Sequence, residues 1–207
     1  GLLTTISVSL VSLVLAAVLG LIVTLPNLSS RKSLKYLNIT YVEIFRAIPV
    51  LVLLLWIYYG LPSIFGGSLS FNPFVAGVIT LVLHESAFIS EIYRSGIQAI
   101  KKGQIEAAKS LGLNETLVFI KIVLPQAVAK MYPSLVGQFI FLFLTTGIIS
   151  EIGVQDLTHA GLFIDSRSFR SFEVFTTLTV LYIGLSLFFK YILARANLIL
   201  FPYLIKS

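Results

Sequence analysis

Charged residues are missing from four long stretches of the chain: none precedes Arg31, and none falls between Arg46 and Glu85, Lys130 and Glu151, or Glu173 and Lys190. A bilayer's hydrocarbon core is ~30 Å thick and takes about 20 apolar residues in helical form. The gaps therefore predict five membrane-spanning helices, at roughly 2–25, 39–60, 73–99, 131–149 and 174–196. Between the second and third, Leu61-Pro62-Ser63-Ile64-Phe65-Gly66-Gly67-Ser68 carries a proline and paired glycines, which punctuate the pattern as a turn.

Composition agrees: 57% of the 207 residues are hydrophobic and 12% charged, against about 25% charged in soluble domains. The basic residues orient the spans. Arg31, Lys32 and Lys35 follow helix 1; Arg94, Lys101, Lys102, Lys109, Lys121 and Lys130 lie at or after the end of helix 3; Lys190, Arg195 and Lys206 end the chain. The opposite side holds Arg167 and Arg170 among Glu151, Asp156, Asp165 and Glu173, which read as solvated outer-loop charges. Basic residues favour the cytoplasmic side, so the 26–38 loop, the 100–130 segment and the C-terminus are expected in the cytoplasm and the N-terminus outside. The opening stretch has no basic segment ahead of it and exceeds the apolar core of a signal peptide, so it reads as a retained span. Starting at Gly1 rather than Met, it is expected to lack its natural N-terminus.

The net charge of +6 then reflects topology and attraction to anionic lipid, since no basic stretch is interleaved with aromatics as nucleic-acid binding requires. Zero cysteines exclude a disulfide framework, a thiolate metal site and a cysteine nucleophile. His84 and His159 lie far apart in sequence and suggest no metal cluster.

The polar segment between helices 3 and 4 is the most informative. Gln104 to Leu111 is rich in helix formers, with Ile105, Ala108 and Leu111 spaced by three on one face. Gly112 can take the left-handed conformation that closes such a helix, and Asn114 followed by Glu115 is a cap for the next, which predicts two short helices at an angle. Leu124-Pro125 and Tyr132-Pro133 punctuate the return to the membrane. From periodicity alone, an amphipathic hairpin lying on lipid heads reads equally well.

Spacing shifts that balance. Glu106-Ala107-Ala108, three residues, Gly112, nine residues, Ile122, one residue and Leu124-Pro125 match the EAA motif of ABC importer permeases at every defined position. Phe45-Arg46-Ala47-Ile48-Pro49-Val50-Leu51-Val52 followed by Ile57-Tyr58-Tyr59-Gly60-Leu61-Pro62 resembles the helix 2 signature of the polar amino acid subfamily, and Ala87 to Ile97 is similar to its AYxAEIxRGGI. Lys102-Gly103-Gln104 and Ile152 to Thr158 also resemble that group.

The resemblance implies an all-α membrane protein of type I ABC importer permease fold, a single transmembrane domain over 1–207 with five helices and a cytoplasmic helix-turn-helix coupling loop. It implies a multi-pass subunit of the bacterial inner membrane, paired with a second permease subunit. Two cytoplasmic ATPases would bind ATP and Mg, and an extracytoplasmic amino acid binding protein would deliver solute. Glu106, Ala107, Ala108, Gly112, Leu124 and Pro125 are the expected ATPase-coupling residues. Nothing resembles GxxxxGK[ST], so hydrolysis is expected from the partner and no cofactor or catalytic residue from this chain. A secondary transporter would usually show an internal repeat, and none is found between the halves; a membrane assembly protein would not require the Glu-Ala-Ala and glycine spacing.

The sequence departs from the subfamily in helix 4, where members read NEFIxLLKDTSL. Gln138 replaces a carboxylate, Leu144 a lysine and Thr145 an aspartate; in helix 2, Ala47-Ile48 replaces Gly-Thr and Leu53 a Gln. That loss of charge favours, slightly, a heterodimer over a homodimer. Charged groups cost at least ~2.5 kcal/mol at a helix centre, so Glu85 is a pathway candidate, set against a structural hydrogen bond to another helix. His84, Gln138, Thr145 and Thr146 complete the candidate substrate pathway. His84 is expected about 100° around the helix from Glu85, off its face. Glu91 and Arg94 are read as a local ion pair. Phe139, Phe141 and Phe143, spaced by two, are expected on different sides of helix 4, and Trp56, Tyr58 and Tyr59 in an interfacial belt.

Overall fold

The computed structural model describes residues 1–28, 32–67 and 69–200, of which 27–28 and 198–200 by backbone alone; Arg31, Ser68 and Lys206 lie outside them. Helix α1, Leu2–Thr24, buries a stripe of small and hydroxylated residues, Thr5, Ser9, Ser12, Ala16, Gly20 and Thr24, and turns Val14, Val18 and Ile22 outward. That is membrane logic: small residues let helices approach, and apolar ones face lipid. A Cβ on Gly20 would sit 2.9 Å from Ile89 Cγ2 and 3.1 Å from the Ser86 carbonyl of α5 (Pro73–Gln98), so only glycine permits this crossing.

The single helix expected over 39–60 is instead two. Helix α2, Lys32–Ala47, ends before Pro49, and the chain from Val50 to Ile64 leaves at 99° to it. Proline disfavours helical geometry in the residue before it, and Pro49 itself has φ −57°, ψ 130°. Beyond the break run α3 (Val50–Leu55), a π turn (Trp56–Gly60) and α4 (Leu61–Ile64). Trp56 and Tyr59 are exposed there, as an interfacial belt requires, while Tyr58 is half-buried.

Helix α5 is the axis of the molecule: 61% of its most apolar window is buried. Val8, Leu53, Leu54, Ile57, Ala76, Leu81 and Ile149 pack into one apolar core around its outer half. Helices α6 (Lys102–Ser110) and α7 (Glu115–Val118) come next. The fourth span does not start at 131. From Glu115 the helix runs through a π turn (Phe119–Val123), α8 (Leu124–Thr145) and a 3-10 segment (Thr146–Ile152), so the second short helix is the foot of the span. Pro125 follows the π turn inside this continuous helix, and Pro133 lies within α8 without ending it.

The outer segment expected to be loop contains α9, Leu157–Ser168, before α10, Ser171–Leu200. Among the described residues four helices are long and apolar enough to cross a membrane, or five with the bent pair counted as one span.

Candidate functional site

Two places gather the sequence-derived residues. Inside the membrane, Glu85 is fully buried and accepts a hydrogen bond from Gln138 Nε2 of α8 at 2.5 Å. His84 Nδ1 lies 3.1 Å from the other carboxylate oxygen. The expected separation of His84 from Glu85 is thus corrected: backbone vectors diverge by about 100°, yet both side chains bend to meet. His84 also packs on Phe88, ring centroids 5.1 Å apart, and the Arg46 guanidinium lies 5.0 Å over the same ring.

Three expected pathway residues, His84, Glu85 and Gln138, therefore form one network. Thr145 and Thr146 stand apart from it: their hydroxyls donate to Phe141 O at 2.8 Å and Phe143 O at 2.7 Å within their own helix. Phe139 and Phe143, four apart, share a face and both meet Phe189 of α10, at 5.5 and 5.3 Å, whereas Phe141 points away. Spacing by two separates only the middle ring.

Sequence reasoning did not find a second polar knot. Thr24 donates to Ser90 Oγ at 3.0 Å, Asn38 donates to Ser90 Oγ at 3.2 Å and to Val23 O at 2.6 Å, and Tyr41 meets Ser86 Oγ at 2.7 Å. These tie α1 and α2 to α5; the signal was an Asn and a Tyr at i, i+3 on one face of α2. Beside it, a cleft of about 440 Å³ between α2 and α5 is lined by Lys35, Glu43, Arg46, Glu91 and Arg94. Glu91 and Arg94 are paired at 2.6 Å, as their spacing predicts.

The second place is the elbow between α6 and α7. Gly112 has φ +82°, and a Cβ there would meet nothing within 4 Å, so the demand for glycine is one of backbone conformation alone. Gly112 N–H donates to Lys109 O at 3.0 Å and Leu113 N–H to Ala108 O at 3.3 Å, the paired bonds that close a helix on a left-handed residue. Asn114 then caps α7, accepting from Leu117 N–H at 2.9 Å. Ala108 is buried against Val118, Val123 and Ala127, while Glu106 and Ala107 face out and Leu111 is 83% exposed.

Asp156, expected to be a solvated loop charge, is fully buried. One of its oxygens accepts from His159 N–H at 2.7 Å, capping α9; the other has no hydrogen-bond partner among the described residues. Burial raises its pKa above the usual carboxylate value. An acid that caps a helix looks the same in sequence whether it is wet or dry.

Fold and site together define a multi-pass helical membrane protein with a polar elbow between two short helices. The chain belongs to the family described as binding-protein-dependent transport system inner membrane component, whose model matches residues 3–197. It is 34% identical to a putative glutamine transport system permease protein of Rickettsia prowazekii over 83% of this chain and 78% of that one. It is 33% identical to the L-cystine transport system permease protein of Bacillus subtilis, over 87% and 77% respectively. Among solved structures it is similar to an amino acid ABC transporter crystallised with histidines, with a TM-score of 0.88 and 34% identity over 95% of this chain and 91% of that one. This is a permease subunit of the inner membrane.

Proposed function

We propose that the chain is the membrane subunit of an ATP-driven importer that carries amino acids from an extracytoplasmic binding protein to the cytoplasm. The observation that carries this reading is the elbow at Gly112, a short helix closed by a left-handed glycine with Glu106 and Ala107 turned outward. Such a surface suits docking: small side chains admit a neighbouring backbone, and the glutamate offers a charge. Its occupant is a cytoplasmic ATPase, which binds ATP and Mg and whose closure is transmitted through α6 and α7 to α8. Leu124 and Pro125 are the joint of that transmission. The excess of basic residues around the elbow supports its placement in the cytoplasm, with the C-terminus on the same side and the 151–173 segment outside.

A second permease subunit completes the pathway, and α10 supports this, since none of its most apolar window is buried within the chain. The network of His84, Glu85 and Gln138 supports neutral or weakly polar amino acids as solutes. A cationic side chain held in the membrane needs a carboxylate, and the Glu85 carboxylate is already engaged by Gln138 and His84. Relatives named for glutamine and cystine agree with that choice. A heterodimer is slightly favoured over a homodimer, with the partner holding the stronger solute site.

Reconstitution tests this. The subunit with its ATPase and binding protein in vesicles should take up a neutral amino acid only with internal ATP, and should do so better when a second, different permease is supplied. Robust lysine or arginine uptake by the homodimeric complex would contradict both the solute class and the pairing.

A further inference from the structure

Two stretches of helix wind wider than an α-helix, and each does so immediately before a Leu-Pro pair. Trp56–Gly60 precedes Leu61-Pro62, and Phe119–Val123 precedes Leu124-Pro125. In both, the leucine N–H reaches five residues back, Leu61 to Trp56 O and Leu124 to Phe119 O. Each π turn relieves a proline clash, although Pro133 lies within α8 without one. In an α-helix the proline ring collides with the carbonyl four residues earlier, and a π turn moves that carbonyl aside.

A π turn amounts to one inserted residue, and an inserted residue rotates the helix on its N-terminal side by about 100° relative to the helix on its C-terminal side. The burial pattern uses this rotation. Val118, Val123, Ala127 and Met131 are all 5% exposed or less, at spacings of five, four and four. Across an unbroken α-helix a step of five would leave Val118 about 140° off the stripe. With the π turn it faces the same way, onto Ile105 and Ala108 of α6 and Ile92 and Ile97 of α5.

We propose that Pro125 is a positioning residue: by forcing the π turn at Phe119–Val123 it sets the rotational phase of the coupling elbow on the fourth span. The last part of the sequence signature, Ile122, one residue and Leu124-Pro125, then encodes the turn itself. The consequence for transport rests on the reading of the elbow as the ATPase dock; the phase does not.

Because the chain has no cysteine, single cysteines report the phase. In the assembled complex Val118→Cys should be protected from a thiol reagent and Leu117→Cys, 36% exposed in place, should label. Pro125→Ala releases the turn: labelling of Val118→Cys should rise about tenfold, as for a buried position that opens, and capture of the ATPase should fall. Deleting Ile120, which is 52% exposed, in the Pro125→Ala background brings Val118 and Val123 to a spacing of four in a plain α-helix. That double change should restore both protection and ATPase capture. Deleting Ile120 with Pro125 kept should fail, because the proline then has no widened turn. Pro62→Ala, at the other π turn, should leave ATPase capture unchanged. Native protection of Val118→Cys in Pro125→Ala, or a double variant as defective as Pro125→Ala alone, would overturn the assignment. If labelling tracks the phase while neither Pro125→Ala nor Gly112→Val alters ATPase capture, the phase stands and the docking reading falls.

Discussion

The elbow between α6 and α7 and the hairpin between α9 and α10 are built on one plan and solved with different residues. Each has a capped helix start, a helix end closed by a left-handed residue, and a large apolar side chain at the turn. The elbow caps α7 with exposed Asn114, closes α6 on Gly112 at φ +82° and exposes Leu111 to 83%. The hairpin caps α9 with buried Asp156, closes it on Phe169 at φ +56° and exposes that phenylalanine to 87%. Left-handed geometry costs a side-chain-bearing residue about 1–2 kcal/mol. The elbow avoids that cost and the hairpin bears it. The elbow's demand for glycine has no packing reason, since the space around Gly112 is empty.

Breaking the elbow should have the largest effect. Gly112→Val imposes a β-branched residue on left-handed backbone, so α6 and α7 should lose their mutual angle while the membrane core stays folded. ATPase co-purifying with the complex should fall about tenfold, the equivalent of 1.4 kcal/mol, and full capture by a well-folded variant would erase the distinction drawn here.

Next is the α9 cap. Asp156→Ala should lower stability by about 1 kcal/mol through loss of the bond to His159 N–H, read as a fall in thermal midpoint in detergent. Asp156→Asn keeps a capping oxygen and removes the buried charge. Burial raises the Asp156 pKa in the folded protein above 3.8, so the folded state binds the proton more tightly than the unfolded one. Stability contributed by this group is therefore greatest at low pH, falls as pH rises from the unfolded value through the raised one, and is flat above. Asp156→Asn should abolish that decline.

A smaller change sharpens the comparison from the other side. Phe169→Gly relieves the left-handed strain but adds unfolded-chain entropy, for a net gain of up to about 1 kcal/mol; a measurable loss would mean that the phenylalanine packs in a way its exposure denies. Smallest is Lys109→Ala. The Lys109–Glu115 bridge, 2.9 Å long, spans the elbow at its surface, and exposed pairs contribute little, so the thermal midpoint should not move.

Much of the elbow could be read from sequence because its chemistry is local: a glycine where side chains are strained, an asparagine where a cap is needed, and a fixed spacing between them. The spans were legible from their charge gaps. The bend at Pro49 was not, because a proline in an apolar run marks a weak point without stating an angle. A hydrogen bond between Glu85 and another helix was among the readings, but its partners His84 and Gln138 were out of reach for another reason: helix vectors place Cβ atoms, while a long polar side chain in an apolar surround goes to the partner it finds. In α1 burial goes mostly to small or hydroxylated residues and exposure to large apolar ones, the inverse of a soluble helix.

The elbow is expected to meet the ATPase, and the hairpin between α9 and α10 is not. A photoactivatable cross-linker placed at Leu111→Cys or Phe169→Cys, two side chains of nearly equal exposure, decides it in the assembled complex. Cross-linking to the ATPase from position 111 and none from position 169 is the predicted result; ATPase adducts from 169, or none from 111 in a complex that retains its ATPase, would contradict it.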